Sequence, residues 1–77
     1  MRKWRPWKAT KIEVLAFIRK RKSVVPSDLV EQFGLALHTA RERLRSLEKQ
    51  RLIDRLASGA YSLTEEGYRR LDFYGRL

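Results

Sequence analysis

Apolar residues along the chain fall at intervals that name its elements one after another. Val14, Leu15 and Ile18 recur at helical spacing, flanked by Ile12 and Phe17, and predict a helix over about residues 10–21. "TKIE" opens it as a capping box: the Thr10 hydroxyl can accept from one free amide, and Glu13 can reach back to another. It closes in "RKRK", a cationic last turn that suits the helix dipole. "SVVP" then reads as a short extended piece, ended by Pro26, which has no amide to donate. Ser27 is placed to cap a second, short helix, "DLVEQF", with Asp28 favourable in its first turn and Leu29, Val30 and Phe33 facing inward. Gly34 can supply the left-handed residue that ends this helix.

A third helix starts near Ala36 or Leu37 and runs to about Gln50. Ala40, Leu44 and Leu47 form its buried stripe. His38, Arg41, Glu42, Arg45 and Lys49 fall on the other side, and Leu37 sits at the exposed start. "LIDRL" alternates Ile53 and Arg55 against Leu52, Asp54 and Leu56. "ASGA" turns, with Gly59 free to take positive φ, and "YSL" returns, so "RLIDRLASGAYSL" is a small hairpin. Thr64 caps a last helix whose first turn carries Glu65 and Glu66. The order is helix, strand, helix, helix, hairpin, helix: mainly α with one small β-hairpin. Two helices joined by a tight glycine turn make a helix-turn-helix, and a hairpin directly after them is a wing. The predicted organisation is an arm over residues 1–9 and a winged helix domain over 10–77 that includes the C-terminal helix.

Charge changes the picture most. Eighteen Lys and Arg against nine Asp and Glu leave a net charge of +9, which attracts polyanions, nucleic acid first and anionic membrane next. The excess is uneven. Residues 1–22 carry nine basic residues and one acid, and residues 41–55 carry six and three. Between them, residues 23–40 hold Asp28 and Glu31 with no Lys or Arg, while residues 56–77 balance at three and three. Whether one side of the molecule gathers the two basic segments is a question for the fold.

The elements resemble a family. The sequence is similar to the winged helix-turn-helix transcription regulators, in particular the small prokaryotic type. "VVPSDLVEQFGLALHTARERLRSLEKQRLI" resembles their unit of two helices and a strand, and "AYSLTEEG" resembles the junction that closes the wing. The likeness covers about residues 10–70. It implies double-stranded DNA binding, with the third helix in the major groove and the wing on the backbone or minor groove. The groove-facing positions it implies are Leu37, His38, Thr39, Arg41, Glu42 and Arg45, and the wing positions are Arg55, Ser58 and Gly59. Two features depart from the family pattern. Arg51 stands where a glycine is common, and the wing tip has no Lys or Arg, which limits its contribution to Arg55 and backbone amides.

Each site has a plainer reading beside the functional one. Arg41 and Arg45, one turn apart, can bond a guanine edge or hold a phosphate. They can equally be solvated surface, with Glu42 paired to Arg45. His38 can read a base edge or bond a phosphate, with a pH dependence if its charged form binds. It can also be an incidental exposed residue. In the arm "MRKWRPWKA", Arg2, Lys3, Arg5 and Lys8 can follow phosphates. Trp4 and Trp7 can pack on this domain or on a second copy, stack on single-stranded bases, or anchor at a membrane interface. On the last helix, Tyr68 and Leu71 fit one core stripe, while Phe73 and Tyr74 widen the apolar surface toward a partner.

Other functions lack the residues they need. Without cysteine there is no disulfide, thiolate zinc site or thiol nucleophile, and one histidine builds no multi-histidine metal site. No phosphate-binding glycine loop or nucleophile–base signature is present, so neither an enzyme nor a cofactor is expected. No signal peptide, membrane span or small-molecule pocket signature is visible either. The expected location is cytoplasmic and nucleoid-associated. These features together predict a sequence-preferring duplex-DNA binder acting in transcription as a homodimer. The alternatives are a winged helix protein-interaction module of a larger nucleic-acid assembly, and a non-specific DNA or RNA binder.

Overall fold

The structure, a computed structural model, describes residues 10–75. Its elements follow the order read from the sequence: α1 (Lys11–Arg21), α2 (Pro26–Phe33), α3 (Leu37–Lys49), β1 (Ile53–Arg55), β2 (Tyr61–Leu63) and α4 (Glu65–Gly75). The capping box forms at α1, where the Thr10 hydroxyl accepts from the Glu13 amide at 3.2 Å and the Thr10 amide donates to the Glu13 carboxylate at 3.0 Å. Gly34 ends α2 with φ 70° and ψ 28°, and its amide donates to the Val30 carbonyl at 2.9 Å. The short extended piece is a single bridge, Val24 to Tyr61, made by two backbone hydrogen bonds of 2.9 and 2.7 Å.

The start of α2 differs from the expectation. Ser27 does not cap it. The helix begins at Pro26, the cap is Val25, and the Val25 amide donates to the Asp28 carboxylate at 2.9 Å. Proline suits a first helical position, because the amide it lacks would have no helical partner there and its φ is already set. The residue read as a stop is therefore the start.

The hairpin pairs Ile53 with Leu63, Asp54 with Ser62 and Arg55 with Tyr61. The alternation expected over "LIDRL" does not extend back to Leu52. Leu52 and Ile53 are both fully buried, because Arg51 sits at φ 64° and swings the chain before β1 begins. Val14, Leu15, Ile18, Leu29, Ala40, Leu44, Leu47 and Leu71 complete most of the core, and Phe17 meets Phe33 edge-on across α1 and α2 at 5.5 Å.

Thr64 caps α4 as expected: its hydroxyl accepts from the Gly67 amide at 3.0 Å and donates to the Arg51 carbonyl at 2.7 Å. Gly67 lies against α3's exit, where a Cβ would collide with the Leu52 carbonyl oxygen. Tyr68 leaves the core stripe assigned to it and is 47% exposed. The inward positions of α4 are Gly67 and Leu71, four apart, and Tyr68 points away from that line.

Candidate nucleic-acid interface

The α3 helix presents two faces. Ala40 and Leu44 are fully buried and Leu47 nearly so. Leu37, His38, Arg41, Glu42, Arg45 and Lys49 are exposed, and Thr39 is half-buried. Residues placed on the groove side by sequence thus lie on one accessible surface. His38 and Thr39 sit 3.4 Å apart through Nε2 and Oγ1. Ala36 caps α3 with no side-chain hydrogen bond, and no acid stands in the first turn. The free amides and the positive end of the helix dipole therefore remain open to an anion.

The cations of this face are not neutralised. Among the described residues, Arg41, Arg45, Lys49 and Arg55 form no ion pair, and the Glu42–Arg45 pair of the solvated-surface reading is not made. Arg21, Arg69 and Arg70, by contrast, are engaged. Glu66 holds Arg69 at 3.0 Å and Arg70 at 3.7 Å, and Arg21 lies 3.9 Å from Asp28 with its guanidinium over the Phe17 ring.

The wing brings one more cation to α3. Leu56 to Ala60 close its tip through a 2.7 Å hydrogen bond from the Leu56 amide, with Gly59 at φ 95°. Ser58 turns its hydroxyl inward and accepts from the Ala60 amide at 3.4 Å. Arg55 lines a cleft of about 270 Å³ with Arg41 and Arg45 of α3, Pro26 of α2, and Gly59 and Tyr61 of the wing. Arg21 abuts Asp28 in the first turn of α2, next to the Pro26 wall. The cationic end of α1 lines a separate cleft, where Lys20 and Arg21 lie with Phe17, Gln32 and Phe33. Arg2, Lys3, Arg5 and Lys8 lie outside the described residues, as do Trp4 and Trp7.

The match to known families rests on this same stretch of chain. Residues 11–66 match the DeoR-like helix-turn-helix domain. The chain belongs to that family. No curated protein sequence matches it. Among solved structures it is similar to the reduced form of MarR from E. coli, with TM-score 0.82 and 24% identity over 94% of this chain and 54% of that one. It is also similar to the PhiH1 repressor-like protein from Haloarcula marismortui, with TM-score 0.73 and 27% identity over 94% of this chain and 85% of that one. The chain thus spans about half the length of MarR. The winged helix-turn-helix fold and the small-regulator resemblance read from the sequence are both borne out.

Within this DeoR-like helix-turn-helix domain, α2 and α3 are the motif's two helices, and the second of such a pair is the one that enters a major groove. Sequence reasoning missed Pro26 and Tyr61 as walls of the cleft. The signal for Tyr61 was its place opposite Arg55 in the hairpin, on the strand that also bridges back to Val24. No helix among the described residues is long and apolar enough to cross a membrane.

Proposed function

We propose that this chain binds double-stranded DNA and acts in transcription regulation, with α3 in the major groove and the short wing on the backbone. The observation that carries this reading is the unpaired cationic face of α3, joined at one edge by Arg55 of the wing. A row of exposed guanidiniums without acid partners has high potential, and a phosphate backbone is the polyanion that fits a helix of this width in its groove. Leu37, His38 and Thr39 at the start of α3 face base edges, Glu42 follows them, and Lys49 reaches a flanking phosphate. The basic arm, through Arg2, Lys3 and Arg5, adds phosphate contacts. The PhiH1 relative carries "repressor-like" in its name, which is consistent with a role in regulation.

The active form in this reading is a homodimer, located in the cytoplasm with the nucleoid. Its support is α4, where Phe73 and Tyr74 are 59% and 38% exposed and meet edge-on at 5.6 Å, with Tyr68, 47% exposed, on another side of the helix. Two adjoining exposed aromatics at the end of one short helix form a surface that association would cover. A twofold pair would also set two α3 helices on successive major grooves.

Salt titration of binding tests the function, with random duplex DNA, duplex RNA and single-stranded DNA side by side. The expected result is a steep log–log slope and preference for duplex DNA. Flat, weak binding to all three would assign the charged face of α3 to a protein interface and overturn the reading.

A further inference from the structure

Resting on the duplex-binding reading above, we propose that the cleft between α3 and the wing is a clamp for one phosphate group, held jointly by Arg41, Arg45 and Arg55 and supplied by the backbone of the bound duplex. Three guanidinium side chains from two elements line one concavity of about 270 Å³, and no acid lines it with them. Bringing like charges together in this way is unfavourable unless an anion completes the set. Among the described residues none of the three has an ion-pair partner, although Arg21, Arg69 and Arg70 all do.

The walls suit a fixed ligand. Pro26 has a preset backbone, and Tyr61 is tied to Val24 by paired backbone hydrogen bonds. Tyr61 is also the register partner of Arg55, so the strand that carries the wing cation is anchored to the body of the domain. The space is several times the ~30 Å³ share of a water molecule, enough for a tetrahedral oxyanion and its ester carbons. A planar guanidinium presents forked donors matched to phosphate oxygens.

The clamp also explains the short wing. Residues 56–59, "LASG", offer no cation at the tip. The wing acts by closing Arg55 onto the phosphate that α3 already holds, rather than by reaching into a minor groove. Base reading then falls to Leu37, His38, Thr39 and Glu42, while the three arginines set the depth and angle of α3.

The test uses the full chain with Arg41→Gln, Arg45→Gln and Arg55→Gln, singly and combined, each checked for folding by circular dichroism. Affinity and salt slope are measured on duplexes that each carry one neutral methylphosphonate. A shared phosphate predicts a roughly tenfold loss for each single variant, and a triple variant far better than the product of the three. The slope should fall by about 0.9 for the whole set. One methylphosphonate position should weaken the wild type and leave the triple variant unchanged. Multiplicative losses, a slope drop of about 0.9 for each arginine and no common position would overturn the clamp while leaving duplex binding intact.

A second arm titrates inorganic phosphate and follows the arginine Nε–H resonances. If the wild type fails to bind duplex but the three resonances shift together, the site stands and its phosphate is a free anion, not DNA. If it binds no duplex and none of the three shifts, both the clamp and the duplex reading are overturned.

Discussion

The outer face of α3 and the outer face of α4 carry similar residues in opposite states. On α4, Arg69 and Arg70 share Glu66, so one carboxylate offsets half of their charge on the helix itself. On α3 and the wing, Arg41, Arg45, Lys49 and Arg55 have no ion-pair partner among the described residues, although Glu42 is one helical step away. Aromatics are distributed the other way. Tyr68, Phe73 and Tyr74 stand exposed on α4, while the exposed apolar residue of α3 is Leu37. Counting arginines therefore does not locate the interface. What separates the faces is whether an acid within reach has already met each cation: α4 is a surface an apolar partner can approach, and α3 is one only an anion completes.

The largest effect should come from breaking that asymmetry. Arg41→Ala combined with Arg45→Ala should weaken duplex binding by about 2–3 kcal/mol, on the order of 50-fold at moderate salt. Arg69→Ala combined with Arg70→Ala, which removes an equal charge from paired sites, should shift affinity by less than about twofold, as exposed ion pairs are worth little. Fluorescence anisotropy with a labelled duplex compares them directly. Equal losses from the two faces would mean that net charge, not the α3 face, governs binding.

Stability should respond most at the seat of α4. Gly67→Ala places a Cβ against the Leu52 carbonyl oxygen and 3.0 Å from Leu63 Cδ2. The backbone oxygen cannot move aside without disturbing the turn that leaves α3. A cost of about 1–3 kcal/mol is expected, read as a lower midpoint in urea with an unchanged slope. An unaltered midpoint would show that α4 is not seated on Leu52 and that the two regions are mechanically independent.

Most of this architecture was legible in the sequence for a local reason. The capping box at Thr10, the left-handed Gly34, the stripe of Ala40, Leu44 and Leu47, and the Thr64 cap each depend on residues within one or two turns of chain. What was misread depends on distant contacts or on competing local choices. Ser27 was a credible cap, but Pro26 at the first helical position took precedence. Tyr68 matched a helical stripe, yet Gly67 and Leu71 define the inward line because the Leu52 backbone lies there. The exposed side of α3 was legible from periodicity. The cleft was not, since it joins Pro26, Arg41 and Tyr61 across 35 residues of chain, and no single window of sequence contains it.

The aromatic side of the comparison is sharpened by Phe73→Ser. Among the described residues Phe73 is the most exposed of the large apolar side chains, and it packs edge-on with Tyr74 at 5.6 Å. If α4 is the dimer surface, removing the ring should raise the dimer dissociation constant by about 1–2 kcal/mol, roughly tenfold, with monomer stability almost unchanged. Sedimentation equilibrium measures the first and thermal unfolding of the monomer the second. An unchanged association constant would move the dimer interface away from α4.

The smallest effect lies at the joint between the two regions. Arg51 holds φ 64° at the end of α3, and its carbonyl accepts the hydroxyl that caps α4. A left-handed backbone costs a residue with a Cβ about 1–2 kcal/mol, whereas glycine adopts it freely but gives up about 0.5–1 kcal/mol to unfolded-state entropy. Arg51→Gly should therefore stabilise the fold by about 0.5–1 kcal/mol, a rise of roughly 2–8 °C in Tm for a domain of this size. Its side chain is exposed, and both hydrogen bonds at this residue, Arg51 amide to Glu48 carbonyl and Thr64 hydroxyl to Arg51 carbonyl, involve only its backbone. Binding should report separately from stability. An unchanged salt slope would leave Arg51 as a strained joint only. A slope reduced by about 0.9 would give its guanidinium a phosphate contact, and would account for the arginine by the same open-charge rule that marks out Arg41, Arg45 and Arg55.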